Sequence, residues 1–271
     1  MKAPMKMGPK ILLVGGMDSS GGAGLMRDAA AVAELGGIAR CAVTAVTAQT
    51  DRALRWAMPM PTTGLRAQIL AAFEDRIDAI KIGMLGTAMS VEAVAAALPP
   101  ARGGGPHAPP LVLDPVLRSS SGAALLDAEG VTAMLALLVP RTDLLTPNLP
   151  ELAELGAALG LGASAQAGEV IAALFARGVG AVLVKGGHDT APRKDAVDCL
   201  YLASGDCVRF ASRRYPFDLR GTGCQLASAI AVGLAGEAAQ KISTDTLIAA
   251  VSAAKQALDR RFEAAAGLPA A

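Results

Sequence analysis

The chain has 271 residues, 52% of them apolar, and 25 basic against 24 acidic side chains leave a net charge of +1. Those charges are mixed along the chain, and one Trp, two Tyr and five Phe offer little to stack on bases, so a nucleic-acid partner is excluded. The longest apolar runs, such as residues 134–139 and 229–235, are too short to cross a bilayer, and residues 1–10 are not followed by the apolar stretch of a secretory signal. A cytoplasmic protein without a membrane partner is expected. Cys41, Cys199, Cys207 and Cys224 form no CxxC pair and have only two histidines beside them, which argues against a zinc site or a disulfide framework.

Residues 11–14 read as a buried strand ending at Gly15-Gly16, followed by the loop 18–24 and a helix over about 25–35. Strand, glycine-rich loop and helix in that order can hold a phosphate or polar ligand. The spacing matches neither GxGxxG nor the P-loop, and a plain turn with a Ser N-cap accounts for the same residues. Residues 39–48 form a second strand carrying Gln49 past its end, where one amide can donate to and accept from a heterocycle edge. A helix over 65–73, a strand and turn over 79–85 ending near Met84, and a helix over 90–98 with Ser90 as N-cap follow. The Pro/Gly-rich loop 99–110 receives no function.

A buried strand at 111–113 delivers Asp114, and a helix near 128–138 leads to a strand at 143–145. Asn148 and Glu151, three residues apart at the start of the next helix, can face one site. A helix over 165–177 and a strand at 181–184 run into Lys185. Residues 197–202 and 207–212 read as a hairpin at an antiparallel sheet edge. A last helix covers 244–262, and the ends, 1–10 and 264–271, are expected to be flexible.

Strands alternating with helices predict an α/β fold: a mostly parallel central sheet with helices on both faces, in a single domain over 1–271. Such sheets bind ligands beyond the carboxyl ends of their strands. Asp18, Gln49, Met84, Asp114, Asn148, Glu151 and Lys185 all follow a strand, which predicts one shared cleft. The chain is organised around Arg220-Gly221-Thr222-Gly223-Cys224, a bulk-free loop that can bring backbone N–H groups and a helix N-terminus onto an anion. Cys224 in that first turn is expected to have a lowered pKa. A helix start with a buried cysteine explains the same residues.

The segments GGMDSSGGAG, TAVTAQT, KIGMLG, LDPV, SSG, LLTPNLPE, VLVKGGH and RGTGCQLASAIA, in that order, make residues 11–262 resemble the hydroxymethylpyrimidine/phosphomethylpyrimidine kinases of thiamine biosynthesis. The resemblance implies a ribokinase-like three-layer sandwich. It also implies MgATP-dependent phosphorylation of the pyrimidine's hydroxymethyl oxygen, and then of the monophosphate. By resemblance Gln49 reads the pyrimidine edge, Met84 packs on the ring, and Gly16, Asp18, Ala23 and Asp28 lie near the substrate. Asp114 and Glu151 attend Mg²⁺, Asn148 and Lys185 attend ATP, and Gly221, Thr222 and Gly223 form the anion hole beside Cys224 as base. Mg²⁺ keeps most of its waters and takes one or two carboxylates, in keeping with that set. A homodimer is implied as well.

The chain departs from the family pattern in four places. Leu25-Met26-Arg27 stands where Ile-Gln-Ala is usual before Asp28. Ser120 replaces a Lys, Thr50 an Asn, and Arg220 a Thr or His. Losing the Lys removes a positive charge that could hold a phosphorylated substrate, for which Arg27 or Arg220 would compensate. The second phosphorylation is therefore less secure than the first. Rival readings are a pyridoxal or pyridoxine kinase, which shares the Cys-bearing loop, and a non-catalytic pyrimidine sensor, which would need neither base nor metal pair.

Overall fold

Alternating apolar residues in short strands send neighbours to opposite faces of a sheet, and here both faces are covered. The computed structural model describes residues 8–50, 52–100, 108–119, 122–187, 195–235 and 242–267. The chain begins with β1 (Lys10–Asp18), α1 (Gly24–Glu34), β2 (Ile38–Gln49), β3 (Leu54–Pro59), α2 (Thr62–Ala72), β4 (Ala79–Ile82) and α3 (Ala88–Ala97). It continues with β5 (Leu111–Leu113), α4 (Ala128–Leu137), β6 (Leu144–Leu145), α5 (Leu149–Ala158), α6 (Ala167–Ala176) and β7 (Ala181–Val184). The last elements are β8 (Asp195–Leu202), β9 (Cys207–Arg213), α7 (Thr222–Leu234) and α8 (Thr244–Ala265).

The strands form one sheet in the order β3-β2-β1-β4-β5-β6-β7-β8-β9. From β2 through β7 the pairing is parallel. One core packs Leu12, Val14 and Ile82 against α2 to α6, while the other packs Ile11, Leu13 and Val112 against α1, α7 and α8. This is the expected three-layer sandwich. All carboxyl ends of the parallel strands open on the same edge, which is where the site must lie.

The predicted β8–β9 hairpin is present and antiparallel. An antiparallel strand also closes the other edge: β3 pairs with β2, Val46 opposite Met58 and Ala48 opposite Trp56. No strand was predicted there: β3 is short and exposed along nearly its whole length, although Leu54, Trp56 and Met58 do fall at every second position. Helix starts also differ from expectation. Thr87, not Ser90, caps α3, its Oγ1 accepting from the Ser90 N–H at 3.2 Å. No side chain caps α1, whose N-cap is Ala23. β1 continues through Gly15-Gly16 to Asp18, and α8 is helical to Ala265. Residues 1–7, Ser120, His188, Gly236 and 268–271 lie outside the described residues.

Candidate active site

The predicted site residues do share one cleft, of about 920 Å³, at the carboxyl edge of the sheet. Gly16, Asp18, Ala23, Asp28, Gln49, Met84, Asp114, Asn148, Glu151, Lys185 and Gly221 through Cys224 all line it. Met84 follows β4, and its backbone carbonyl accepts from the Thr44 hydroxyl at 2.7 Å. Its sulfur lies against Gly16, so close that a Cβ there would be 2.6 Å away. Asp18 ends β1 and folds its own loop, accepting from the Ser20 N–H and hydroxyl at 2.9 and 2.8 Å and from the Ala23 N–H at 3.0 Å.

At the opposite end, Lys185 leaves β7 and meets two carboxylates. Its Nζ is 2.7 Å from Asp114 Oδ1 and 3.7 Å from Glu151 Oε2. Burial pulls the ammonium down, but those two anions outweigh it and Lys185 stays charged. Burial likewise pushes Asp114 up, and Lys185 and Lys81 overcome it, holding the carboxyl below the usual range. Glu151 is pushed up to about 7 by burial, with Lys185 opposing and Asp114 adding to the rise. Asn148 and Glu151 form a reciprocal capping box on α5: Asn148 Oδ1 accepts from the Glu151 N–H at 2.8 Å, and Glu151 Oε2 from the Asn148 N–H at 2.7 Å. The Asn148 amide oxygen is thus engaged within the helix start.

The anion loop sits between these ends. Gly221 is the N-cap of α7 with φ 72°, and a Cβ there would stand 2.5 Å from the Gly22 carbonyl oxygen, so both backbone shape and space demand glycine. Thr222, Gly223 and Cys224 form the first turn, whose N–H groups have no intrahelical acceptor. A Cβ on Gly223 would lie 3.2 Å from Lys185 Nζ, which puts the ammonium against this turn.

Cys224 corrects an expectation. Burial raises its pKa to about 11, and Asp28 and Asp114 add to the rise, against Lys81 and a backbone hydrogen bond from Gly24. Its helix position does not overcome that burial, and Cys224 is a thiol at neutral pH.

Asp28, expected near the substrate, borders the cleft with its side chain buried, accepting from Lys81 Nζ at 2.8 Å and from the Ser228 hydroxyl at 2.7 Å, so one network ties α1, β4 and α7 together at the cleft floor. Sequence reading missed Lys81. Its signal was a lysine between Ile80 and Ile82 in a fully apolar strand, a position that demands a buried partner. It also missed that Arg220 reaches back to the first loop, Nη2 to Asp18 Oδ2 at 3.0 Å and Nη1 to Ser20 Oγ at 2.8 Å.

A parallel sheet with a glycine anion loop, a lysine and paired carboxylates at its carboxyl edge defines a phosphotransferase of ribokinase-like architecture. Among solved structures, the chain is similar to the pyridoxal kinase of Staphylococcus aureus in complex with pyridoxal, with TM-score 0.76, 25% identity and coverage of 93% of this chain and 87% of that one. It is also similar to the phosphomethylpyrimidine kinase of Clostridium difficile 630, with TM-score 0.71, 27% identity and coverage of 94% and 99%. The family model for phosphomethylpyrimidine kinase matches residues 18–268, and the chain belongs to that family. The hydroxymethylpyrimidine/phosphomethylpyrimidine kinase of Streptomyces coelicolor is 38% identical over 84% of this chain and 81% of that protein. Its Rhizobium meliloti counterpart is 36% identical over 94% and 90%. The chain spans only 29% of the similar multifunctional thiamine biosynthesis protein of Corynebacterium efficiens. The enzyme is a phosphotransferase of that family.

Proposed function

We propose that the chain transfers the γ-phosphoryl group of ATP to the hydroxymethyl oxygen of the pyrimidine and then to the resulting monophosphate, with each step run in the one cleft. The observation that carries this reading is the convergence of Lys185, Asp114, Glu151 and the Gly221–Cys224 turn on a single edge of the sheet. Phosphoryl transfer asks the protein mainly for positioning and for positive charge around the moving group. The first-turn N–H groups of α7 and the Lys185 ammonium supply that charge. Gln49 and Met84 hold the ring at the other end, with Gly16, Asp18 and Ala23 forming the wall beside it.

Two carboxylates share the single Lys185 ammonium, and with Glu151 pushed up to about 7 they leave a partial negative charge that a cation would favour, a donor set that fits a hydrated Mg²⁺. Among the described residues no group of three or more His, Cys, Asp or Glu side chains could cage an ion. Asp114 and Glu151 would therefore hold the ion through water, and its charge would offset that of the phosphates. Cys224, a thiol, is placed to orient the attacking hydroxyl rather than to strip it. In a loose transition state the proton leaves late, so Cys224→Ala should lower kcat by about tenfold to 10²-fold and spare the fold.

The testing experiment offers hydroxymethylpyrimidine, its monophosphate and pyridoxal with MgATP and compares kcat/KM. Preference for pyridoxal would overturn the substrate, and no turnover of any would return the sensor reading. We further propose a cytoplasmic homodimer. Val46, Trp56 and Met58, adjacent in register on β2 and β3, are 39%, 51% and 57% exposed, an apolar face that a second copy can cover. Emission of the single Trp should shift to the red on dilution if that face is an interface.

A further inference from the structure

β7 ends at Val184, which is paired with Cys199 of β8. Counting on in that register, Gly186 falls opposite Val197, yet the ladder has already stopped. Gly186 still lies directly on β8, where a Cβ would stand 1.9 Å from the Val197 carbonyl oxygen. Its N–H turns to a side chain instead, donating to Asp198 Oδ1 at 2.8 Å. The N–H one residue earlier, that of Lys185, donates to the Pro147 carbonyl at 2.8 Å. These two bonds flank the Lys185 Cα and hold the chain on both sides of it. The other oxygen of Asp198 accepts from Lys255 Nζ of α8 at 2.6 Å, the Asp198 and Lys255 side chains being 8% and 9% exposed.

We propose that Asp198, neutralised by Lys255, is a positioning residue for phosphoryl transfer: its carboxylate replaces the missing rung of the sheet and so fixes where Lys185 projects. This rests on the reading above that the Lys185 ammonium attends the transferring group.

A lysine carries its charge on a long flexible stem, so the direction in which the backbone launches it decides where the charge arrives. Here the ammonium has to sit 2.7 Å from Asp114 Oδ1 and against the turn at Gly223. A misplacement of about 1 Å can cost roughly 10²-fold in rate. A carboxylate holds a backbone N–H more firmly than a neutral acceptor does. Left alone at that depth it would carry a large desolvation penalty, which Lys255 offsets without adding net charge to the cleft that both residues border.

The test compares two full-length double variants, both of which remove the ion pair. Asp198→Asn with Lys255→Met keeps an oxygen for the Gly186 N–H, and Asp198→Leu with Lys255→Met does not. Thermal melting checks folding, and Asp198→Ala with Lys255→Met serves the same comparison if the Leu variant melts below the assay temperature. With hydroxymethylpyrimidine and MgATP, kcat should fall about tenfold or more in the Leu variant and less than about threefold in the Asn variant, with KM for the alcohol unchanged in both. Equal kcat in the two would overturn the proposal and leave the pair as a strut between β8 and α8. Adding Asp198→Leu and Lys255→Met to Lys185→Met should lower kcat no further, because the effect passes through that ammonium, and a full further loss would also overturn it. Undiminished kcat in Lys185→Met would strike the reading of Lys185 itself. Acetylation of Lys185 by acetic anhydride, followed by peptide mapping, then decides the positioning role: a faster rate in the Leu variant alone upholds it, and one rate in all three proteins refutes it.

Discussion

Two lysines are sunk at the carboxyl half of this sheet, and they are solved differently. Lys81 and Asp28 are each 1% exposed and pair one to one, with Ser228 taking the second carboxylate oxygen. Lys185 is 11% exposed and shared by Asp114 and Glu151, and with Glu151 pushed up to about 7 the cluster carries a partial excess of negative charge that grows as pH rises. The first cluster is closed, and its free energy is spent holding α1, β4 and α7 in register. The second is incomplete without something positive beyond the protein, and it opens on the cleft. A buried pair that balances is architecture, whereas a buried cluster that does not balance points to a ligand.

Breaking the closed pair should cost most. Lys81→Met leaves Asp28 buried and unpaired, and should lower unfolding free energy by about 3–5 kcal/mol in urea titrations. Lys81→Met with Asp28→Leu should recover most of it. If the double variant were no better than the single, the pair would be more than a balanced strut. Breaking the open cluster should invert the pattern. Lys185→Met should cost roughly 10²–10³ in kcat, the scale of losing one preorganised donor to transferring charge. Its stability loss should be well under that of Lys81→Met, since the cleft lets Asp114 and Glu151 rehydrate. A large loss of stability with unchanged kcat would erase the distinction.

Sequence carried the open cluster far better than the closed one. Asp114, Glu151 and Lys185 each follow a short apolar strand, and a parallel sheet sends every such position to one edge, so their meeting was legible before any coordinate. Asp28 and Ser228 sit within alanine-rich helices, and their meeting with Lys81 depends on how α1 and α7 pack, which no local pattern records. β3 escaped for the opposite reason: its six residues alternate Leu54, Trp56 and Met58 on an exposed edge, too short a run to stand out from a loop. Cys224 shows the limit of position-based chemistry. A helix N-terminus lowers a thiol pKa, yet the burial that accompanies this turn is the larger effect, and burial is a property of the packed fold.

That thiol gives a smaller test on the same contrast. In the ligand-free enzyme roughly one Cys224 in ten thousand is ionised at pH 7, given a pKa of about 11. Alkylation at Cys224, followed by peptide mapping, should be slow at neutral pH and rise about tenfold per pH unit toward that value. Lys81 is the cation that lowers this pKa, so Lys81→Met should move the profile to still higher pH. Fast alkylation at pH 7 would mean that the helix start outweighs burial after all.

The smallest expected effect separates the helix cap from the metal role at the open cluster. Asn148→Ala removes the acceptor for the Glu151 N–H and should cost about 1 kcal/mol of stability. The Glu151 carboxylate keeps the Asn148 backbone N–H, which the substitution leaves in place. If Glu151 serves Mg²⁺ and Asn148 chiefly caps α5, Asn148→Ala should leave the Mg²⁺ concentration for half-maximal rate nearly unchanged, while Glu151→Gln should raise it. An Asn148→Ala variant of ordinary stability with a weakened Mg²⁺ or ATP response would instead make the amide a direct participant, and the capping box a consequence of where that amide has to be.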